Sequence, residues 1–278
     1  MIKILVPTDF SNHSKAGICF AIQWATQQKA ELVFIHILAI AKLTSWTDNF
    51  TRKLVTKELS LAQQKIEKFV SGIYKNLKVT PGKYTCVAKE GLHADLDVME
   101  YCKKDPSIDF ICISTRGAGK MKKILGTNTG NLITKSQVPV MVVPEKYITT
   151  VIKTVLYATD FKNLSSEMKQ VIGFVKPLKA ILEILHYNWM DEILLDKETI
   201  QKVLRSQYKY KFSLNVEKTD GTHSLVKNLQ SKIRVTNPSV VIMFTNQGRN
   251  IIQKLFVASR AEELSFQTEV PLLVFKKR

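Results

Sequence analysis

Two short segments of this chain combine acidic, hydroxyl and glycine residues beside apolar runs. The first, Pro7-Thr8-Asp9, directly follows the apolar run Ile2–Val6. A carboxylate such as Asp9 accepts hydrogen bonds from ribose hydroxyls or from an adenine amino group. The second segment is Ser114-Thr115-Arg116-Gly117-Ala118-Gly119-Lys120, followed by Gly126-Thr127-Asn128-Thr129. Glycines let a backbone approach phosphate closely, and helix-start amides with hydroxyls hold its oxygens. Neither the Walker A pattern nor G-x-G-x-x-G is present, so those nucleotide classes are unsupported.

The elements that must position these segments alternate between apolar strands and amphipathic helices. In the first half, strands are predicted at Ile2–Val6, Glu31–Leu38, Tyr84–Lys89, Asp109–Thr115 and Val138–Val143. Helices are predicted near residues 12–29, 55–76, 91–99 and 120–136. Continuous apolar strands that alternate with helices indicate a parallel sheet covered on both faces. We therefore expect a doubly wound α/β sheet in the order 3-2-1-4-5, with ligands at the carboxyl ends of its strands.

The second half of the chain repeats the first. Thr-Asp-Phe ends an apolar run at Thr8–Phe10 and again at Thr159–Phe161, and Val138–Val143 is answered by Val270–Phe275. Strands are predicted near residues 152–158, 180–187, 212–218, 240–246 and 270–276, and helices near 163–176, 191–208, 223–235 and 249–266. A repeat at this period predicts two tandem domains of the same α/β fold, at residues 1–147 and 151–278.

The motifs of both halves resemble the universal stress protein family. The resemblance rests on the opening Val-Pro-Thr-Asp-Phe, the glycine loop after strand four, the following Gly-Thr, and the final Val-Pro-Val-x-Val-Val strand. Nucleotide-binding members carry G-x-x-G-x9-G-S or G-T and bind ATP there. The resemblance implies that Asp9 meets the adenosine moiety with Pro7 and Thr8 beside it. It implies further that Ile113, Ser114, Arg116 and Gly117 line the nucleotide, and that Gly126, Thr127, Asn128 and Thr129 hold phosphate.

The two halves depart from that pattern to different degrees. In the first, Ser114 stands where the first glycine belongs, and eight residues separate Gly117 from Gly126. In the second, Thr245-Asn246-Gln247-Gly248 has threonine in that place, and Ala258-Ser259 follow where Gly-Thr would stand. A Cβ at Ala258 crowds a position where the backbone approaches phosphate. We therefore expect adenine nucleotide, ATP for example, in the first domain only.

Composition and charge bound the class of protein. The chain has 278 residues, a formal net charge of +17 and four cysteines without C-x-x-C spacing. Its apolar runs are strand-sized, and the first strand begins at once, so we expect a cytoplasmic protein with no membrane partner and reduced thiols. The basic excess is spread over both halves, which favours a solvated surface over a nucleic-acid site. The five histidines show no metal-ligand spacing and are read as structural or surface residues.

The leading interpretation is a regulatory stress-response protein that binds nucleotide and at most hydrolyses ATP slowly. Three alternatives stay open: an interaction scaffold in which both sites have decayed, a nucleotidyl-transferring enzyme, and a non-specific nucleic-acid binder. We also expect the final strands of the two domains, Val138–Val143 and Val270–Phe275, to pair within one chain about a pseudo-two-fold axis. The basis is that exposed apolar edge strands favour pairing. Stress, pathway and protein partners are not encoded in these patterns.

Overall fold

The computed structural model describes residues 1–115, 127–188, 197–218, 225–245 and 270–277, without the side chains of Thr127 and Thr245. The chain divides into two compact units, Met1–Thr149 and Thr150–Arg278. The predicted helix near 249–266, the start of that at 120–136 and the start of that at 191–208 lie outside the described residues.

The first unit is a parallel sheet with helices between its strands. In chain order its elements are β1 Lys3–Pro7, α1 Asn12–Gln28, β2 Glu31–Leu38, α2 Asp48–Leu77, β3 Tyr84–Glu90, α3 Ala94–Lys104, β4 Phe110–Ser114, α4 Thr127–Lys135 and β5 Val140–Val143. All strand pairs are parallel, in the spatial order β3-β2-β1-β4-β5. The predicted fold class and strand order are confirmed.

The second unit repeats this arrangement. Its described elements are β6 Thr154–Ala158, α5 Leu164–Leu178, β7 Ile181–Asn188, α6 Lys197–Tyr208, β8 Phe212–Lys218, α7 Leu225–Thr236, β9 Val240–Thr245 and β10 Leu272–Lys276. They pair in parallel in the order β8-β7-β6-β9-β10. The strand that opens each unit therefore lies centrally, between its second and fourth strands.

Burial explains why the strand sequences are apolar throughout. Ile4 and Leu5 of β1, and Leu156 of β6, are completely inaccessible to water. A parallel strand covered by helices on both faces has no solvent side on which polar residues would alternate. The continuous apolar runs are thus the sequence signature of this sheet.

Two helix starts differ from the sequence-based prediction because local hydrogen bonds fix them elsewhere. Helix α2 begins at Asp48, a full two turns before the apolar stripe, since Thr47 caps it by accepting a hydrogen bond from Phe50 N at 3.3 Å. Helix α3 begins at Ala94 instead of Gly91. There Asp97 accepts a hydrogen bond from His93 N at 3.1 Å, which holds the chain ahead of the first turn.

Candidate functional site

The first unit has an open cavity of about 200 Å³ at the carboxyl ends of β1, β2 and β4. In a sheet of order 3-2-1-4-5 this is the place where strand connections diverge to opposite faces, and doubly wound proteins bind ligands there. The predicted site residues on the cavity wall are Pro7, Thr8, Asp9, Ile113, Ser114, Asn128 and Thr129. Thr127 begins the described part of α4, whereas Arg116, Gly117 and Gly126 lie outside the described residues.

The turn after β1 brings Asp9 to the cavity. Phe10 adopts a left-handed backbone with φ of 63°, a conformation that is costly for any residue with a Cβ. Side chains compensate: Thr8 Oγ1 accepts from Phe10 N at 3.2 Å, and Asp9 Oδ1 accepts from Ser11 N at 3.0 Å. Strain of this kind is common where a chain must aim a functional side chain.

A histidine of β2 supports this turn from beside it. His36 Nδ1 donates to the carbonyl oxygen of Thr8 at 2.8 Å, and its ring lies 4.3 Å from that of Phe10. Lys65 Nζ lies over the Phe10 ring, 4.4 Å from its centroid. His36 also lines the cavity. This histidine has no metal-ligand spacing, but its counterpart His186 lies at the matching place in the repeat, and that recurrence marks it in the sequence.

Ser114, at the end of β4, is committed to the first helix. Its Oγ accepts a hydrogen bond from Gly17 N at 2.6 Å. A Cβ on Gly17 would lie 2.8 Å from that oxygen and 3.0 Å from the Ser114 backbone nitrogen. Glycine is thus required on α1 because the end of β4 approaches its backbone so closely. The contact joins two walls of the cavity.

Helices α3 and α4 close the remaining side. Asn128 and Thr129, from the first described turn of α4, face the cavity, and so does Asp95 near the start of α3. Asp95 is only 6% exposed, and its Oδ2 accepts a hydrogen bond from Asn131 Nδ2 at 2.7 Å. Sequence reasoning missed Asp95 because its partner is on another helix, so no local pattern marks it.

The turn is copied in the second unit. Phe161 has φ of 61°, Thr159 Oγ1 accepts from Phe161 N at 3.0 Å, and Asp160 Oδ1 accepts from Lys162 N at 3.1 Å. His186 Nδ1 donates to the carbonyl oxygen of Thr159 at 2.9 Å. The repeated Thr-Asp-Phe motif therefore encodes one local structure twice.

The second cavity, about 240 Å³, differs because a lysine enters it. Lys277 has a side chain only 8% exposed, and its Nζ lies 2.5 Å from Asp160 Oδ2 and 3.7 Å from Glu167 Oε1. The hydroxyl of Tyr157 donates to the other oxygen of Glu167. Burial raises the pKa of Tyr157, and the bond to Glu167 raises it further. The ammonium group of Lys277 thus forms an ion pair with the Asp160 carboxylate.

Lys277 helps to lower the pKa of Asp160. Burial raises the pKa of this carboxyl, but the hydrogen bonds from Lys277 and from Lys162 N outweigh it and leave the pKa below its ordinary value. At the corresponding place after β5, the first unit has Glu145, which contacts His13 instead. The residue after the last strand therefore differs in sign between the copies.

Strand pairing also aligns the two copies more closely than their motifs do. Ile111 N and Val241 N donate to Pro139 O and Pro271 O, respectively. Counting from these bonds, Ser114 corresponds to Phe244, one residue before the Thr245 that the motif comparison placed there. The Phe244 ring stacks on that of Phe275, with centroids 4.9 Å apart. An aromatic side chain thus stands in the second unit where the first has a hydroxyl.

Three further properties of the described residues concern metal binding, membrane-spanning helices and thiols. No group of three or more His, Cys, Asp or Glu side chains in the described ranges is arranged to hold a metal ion. Among the described helices, none combines the length and apolar character needed to cross a membrane. The four cysteines are all unpaired thiols.

The fold and the strand-end cavity define a tandem α/β protein of the doubly wound class. The sequence profile of the universal stress protein family matches residues 1–144. The chain therefore belongs to the universal stress protein family, and the predicted family resemblance is confirmed.

The chain is also similar to known proteins in sequence and in fold. Universal stress protein MJ0577 of Methanocaldococcus jannaschii is 27% identical over 160 residues, which is 52% of this chain and 95% of that protein. The structure of a universal stress protein from Archaeoglobus fulgidus covers 99% of this chain and 98% of its own, with 17% identity and a TM-score of 0.70. A functionally unknown protein, PA1789 of Pseudomonas aeruginosa, has a TM-score of 0.59 at 12% identity, covering 99% and 92%. At these identities the structural likeness shows the fold alone.

Proposed function

We propose that the first unit binds ATP or a related adenine nucleotide and that the chain acts as a cytoplasmic, regulatory stress-response protein. The observation that carries this proposal is the convergence of three segments on one cavity. Asp9 comes from the turn after β1, Ser114 from the end of β4, and Asn128 with Thr129 from α4. Asp9 lies more than 100 residues before the other three in sequence, and only the fold brings it to them.

In the proposed complex the adenosine moiety meets Asp9, with Pro7 and Thr8 beside it. Ile113, Ser114, Arg116 and Gly117 line the nucleotide, and its phosphates lie against Gly126, Thr127, Asn128 and Thr129. The described wall supports this direction because it has carboxylates but no lysine or arginine. Carboxylates accept hydrogen bonds from a nucleoside and repel phosphate. The phosphates therefore belong at the α4 side, where the side chains of Asn128 and Thr129 offer amide and hydroxyl donors.

We propose binding as the main role, with ATP hydrolysis slow at most. Asp9 Oδ1 already accepts hydrogen bonds from both the backbone N and the hydroxyl of Ser11, at 3.0 and 2.5 Å. Hydrogen bonds to a carboxylate favour its charged form and reduce its strength as a general base. The first unit thus resembles a receptor for nucleotide more than a catalyst.

Equilibrium dialysis with labelled ATP tests the proposal. Wild-type protein is expected to bind one ATP per chain, Asp9→Ala to lose that binding, and Asp160→Ala to retain it. The two variants are expected to differ because Asp160 already forms an ion pair with Lys277. Thermal unfolding of each variant shows whether it is folded. Binding that survives Asp9→Ala but disappears in folded Asp160→Ala would place the site in the second unit.

A second candidate function is an interaction scaffold without nucleotide, and one contact favours it. The Ser114 hydroxyl is used internally by Gly17 N, so one group of the nucleotide motif has a structural role. The scaffold hypothesis predicts no ATP binding in dialysis and no nucleotide in the mass spectrum of the native protein. Either a bound or a co-purified adenine nucleotide would exclude it.

A further inference from the structure

The cavity of the first unit has two chemically different ends. At one end, the exposed carboxylate of Asp9 lies among the hydroxyls of Thr8, Ser11 and Ser14. At the other end, the wall is formed by apolar side chains of β2 and α3, including Ile37 and Val98, with a single carboxylate, that of Asp95. A ligand with a polar half and a flat apolar half fits such a cavity.

The Asp95 carboxylate is largely buried, and only one of its two oxygens has a hydrogen bond to a described residue. The residue is 6% exposed, and its one hydrogen bond to a described residue comes from Asn131 Nδ2, at 2.7 Å, to Oδ2. An ionised carboxylate accepts several hydrogen bonds and is costly to bury with fewer. Because Asp95 also lines the cavity, a ligand that donates a hydrogen bond from inside the cavity would offset this cost.

The second unit supplies an internal comparison. The cavity-lining residues of α3 are Ala94, Asp95 and Val98, and those of α7 show the same spacing at Leu225, Val226 and Leu229. The buried carboxylate is thus replaced by the side chain of Val226. A carboxylate at this place is therefore not needed to build the helix or the cavity of this fold.

We propose that Asp95 determines base specificity by accepting a hydrogen bond from the exocyclic amino group of adenine. This inference rests on the proposed function, namely that the cavity binds an adenine nucleotide. The base lies between the apolar side chains of the Asp95 end, and the ribose lies at the hydroxyl-rich Asp9 end. Adenine offers an amino donor at N6, which a carboxylate recognises and which a base lacking that group cannot provide.

The expected ratio of affinities depends on the state of Asp95 when a base without the amino group is bound. A nucleotide without the amino group would enclose the Asp95 carboxylate and leave it without the donated hydrogen bond. Sites built around a buried polar group discriminate strongly against ligands that leave it unpaired. We expect wild-type protein to bind ATP at least about tenfold more tightly than purine riboside triphosphate, which has hydrogen in place of the amino group.

The test compares the two nucleotides on two carboxylate variants of the same helix. Asp95→Asn keeps the side-chain shape and removes the charge, and the ratio of the two dissociation constants is expected to fall to about threefold or less. Glu100→Gln removes a carboxylate of α3 that forms only surface ion pairs with Lys89 and Lys104, and it should keep the wild-type ratio. Calorimetric titration measures both constants, and thermal unfolding confirms that each variant is folded.

The outcomes separate this inference from the proposed function. Equal affinity of wild-type protein for ATP and purine riboside triphosphate overturns the role of Asp95 while leaving nucleotide binding in place. The same holds if Asp95→Asn retains the wild-type ratio. A wild-type protein that binds neither nucleotide overturns the proposed function and this inference together.

Discussion

Replacing Lys277 by methionine tests whether the second unit is closed by its own ion network. Lys277 Nζ contacts Asp160 Oδ2 at 2.5 Å and Glu167 Oε1 at 3.7 Å. Methionine has nearly the same length, so the change removes the charge with little loss of volume. Glu167, whose side chain is 3% exposed, is left buried with the Tyr157 hydroxyl as its remaining described partner.

The expected loss of stability follows from the different exposure of the two carboxylates. Removing one partner of a buried ion pair costs about 3–5 kcal/mol, because the other charge stays buried. The Asp160 side chain is 48% exposed, so water screens that half of the interaction. We therefore expect the free energy of unfolding to fall by about 2–3 kcal/mol, mainly through Glu167. This corresponds to roughly 5–12 °C in Tm for a unit of this size.

Urea unfolding of the full chain measures the change, and two further variants control it. Lys276→Met removes the neighbouring lysine, for which the described residues provide no ion pair, and it should change stability by less than about 0.5 kcal/mol. Glu167→Gln combined with Lys277→Met removes the stranded charge and should recover most of the loss. Unchanged stability in Lys277→Met, or an equal loss in Lys276→Met, would refute the argument.

The pH dependence of the same variant gives an independent measure. The pKa of Asp160 in the folded protein is lower than its ordinary value of 3.8. A depressed pKa means that the carboxylate stabilises the fold above the unfolded-state pKa, and that this contribution is lost as pH falls through the folded-state value. Lys277→Met removes a main cause of the depression, so its stability should fall less between about pH 5 and pH 2 than that of wild-type protein. A parallel acid dependence of the two proteins would contradict this.

Four further substitutions have defined outcomes. Gly17→Ala should destabilise the first unit by about 1–2 kcal/mol, because its Cβ would meet Ser114 at 2.8 Å and this clash outweighs the helical gain of alanine. Gly72→Ala, where the Cβ meets no atom within 4 Å, should stabilise α2 by up to about 1 kcal/mol, and urea unfolding that ranks the two alike would count against the close-approach argument. His36→Leu leaves the Thr8 carbonyl without its donor and should cost about 1–3 kcal/mol in thermal unfolding, with no loss expected if the bond is unimportant. Gly117→Val should abolish ATP binding in dialysis because a β-branched residue prevents close backbone approach to phosphate, and undiminished binding would remove this loop from the site.

Local signals were sufficient for much of the architecture. The apolar runs identified the strands, and α1 begins where it was predicted, with Ser11 capping it by accepting a hydrogen bond from Ser14 N. Capping and periodicity act over a few residues, so the sequence displays them directly. The starts of α2 and α3 were less accurate: Thr47 caps α2 before its apolar stripe begins, and α3 begins three residues after the predicted Gly91, where Asp97 binds His93 N.

The parts of the candidate site that depend on a local motif were predictable from the sequence. The parts that depend on contacts between distant segments were not. Asp9 and Thr8 were found because the Thr-Asp-Phe turn is repeated. Asp95 was missed because its partner Asn131 is 36 residues away on another helix. The roles of Arg116, Gly117 and Gly126, the division into two domains as predicted, and the pairing of the final strands about a pseudo-two-fold axis stay predictions.

The sequence by itself determined that this protein has two copies of one parallel α/β unit, each with an acidic turn at the end of its first strand. Those properties follow from periodicity and short-range hydrogen bonding, which any stretch of chain carries with it. Only the tertiary structure decided that the acidic turns differ in environment. Lys277 reaches Asp160 across 117 residues of chain, whereas Glu145, its counterpart, contacts His13. Such charge partners are set by which residue follows the last strand and comes close to the turn after the first strand, and no local pattern reports which residue a carboxylate will meet.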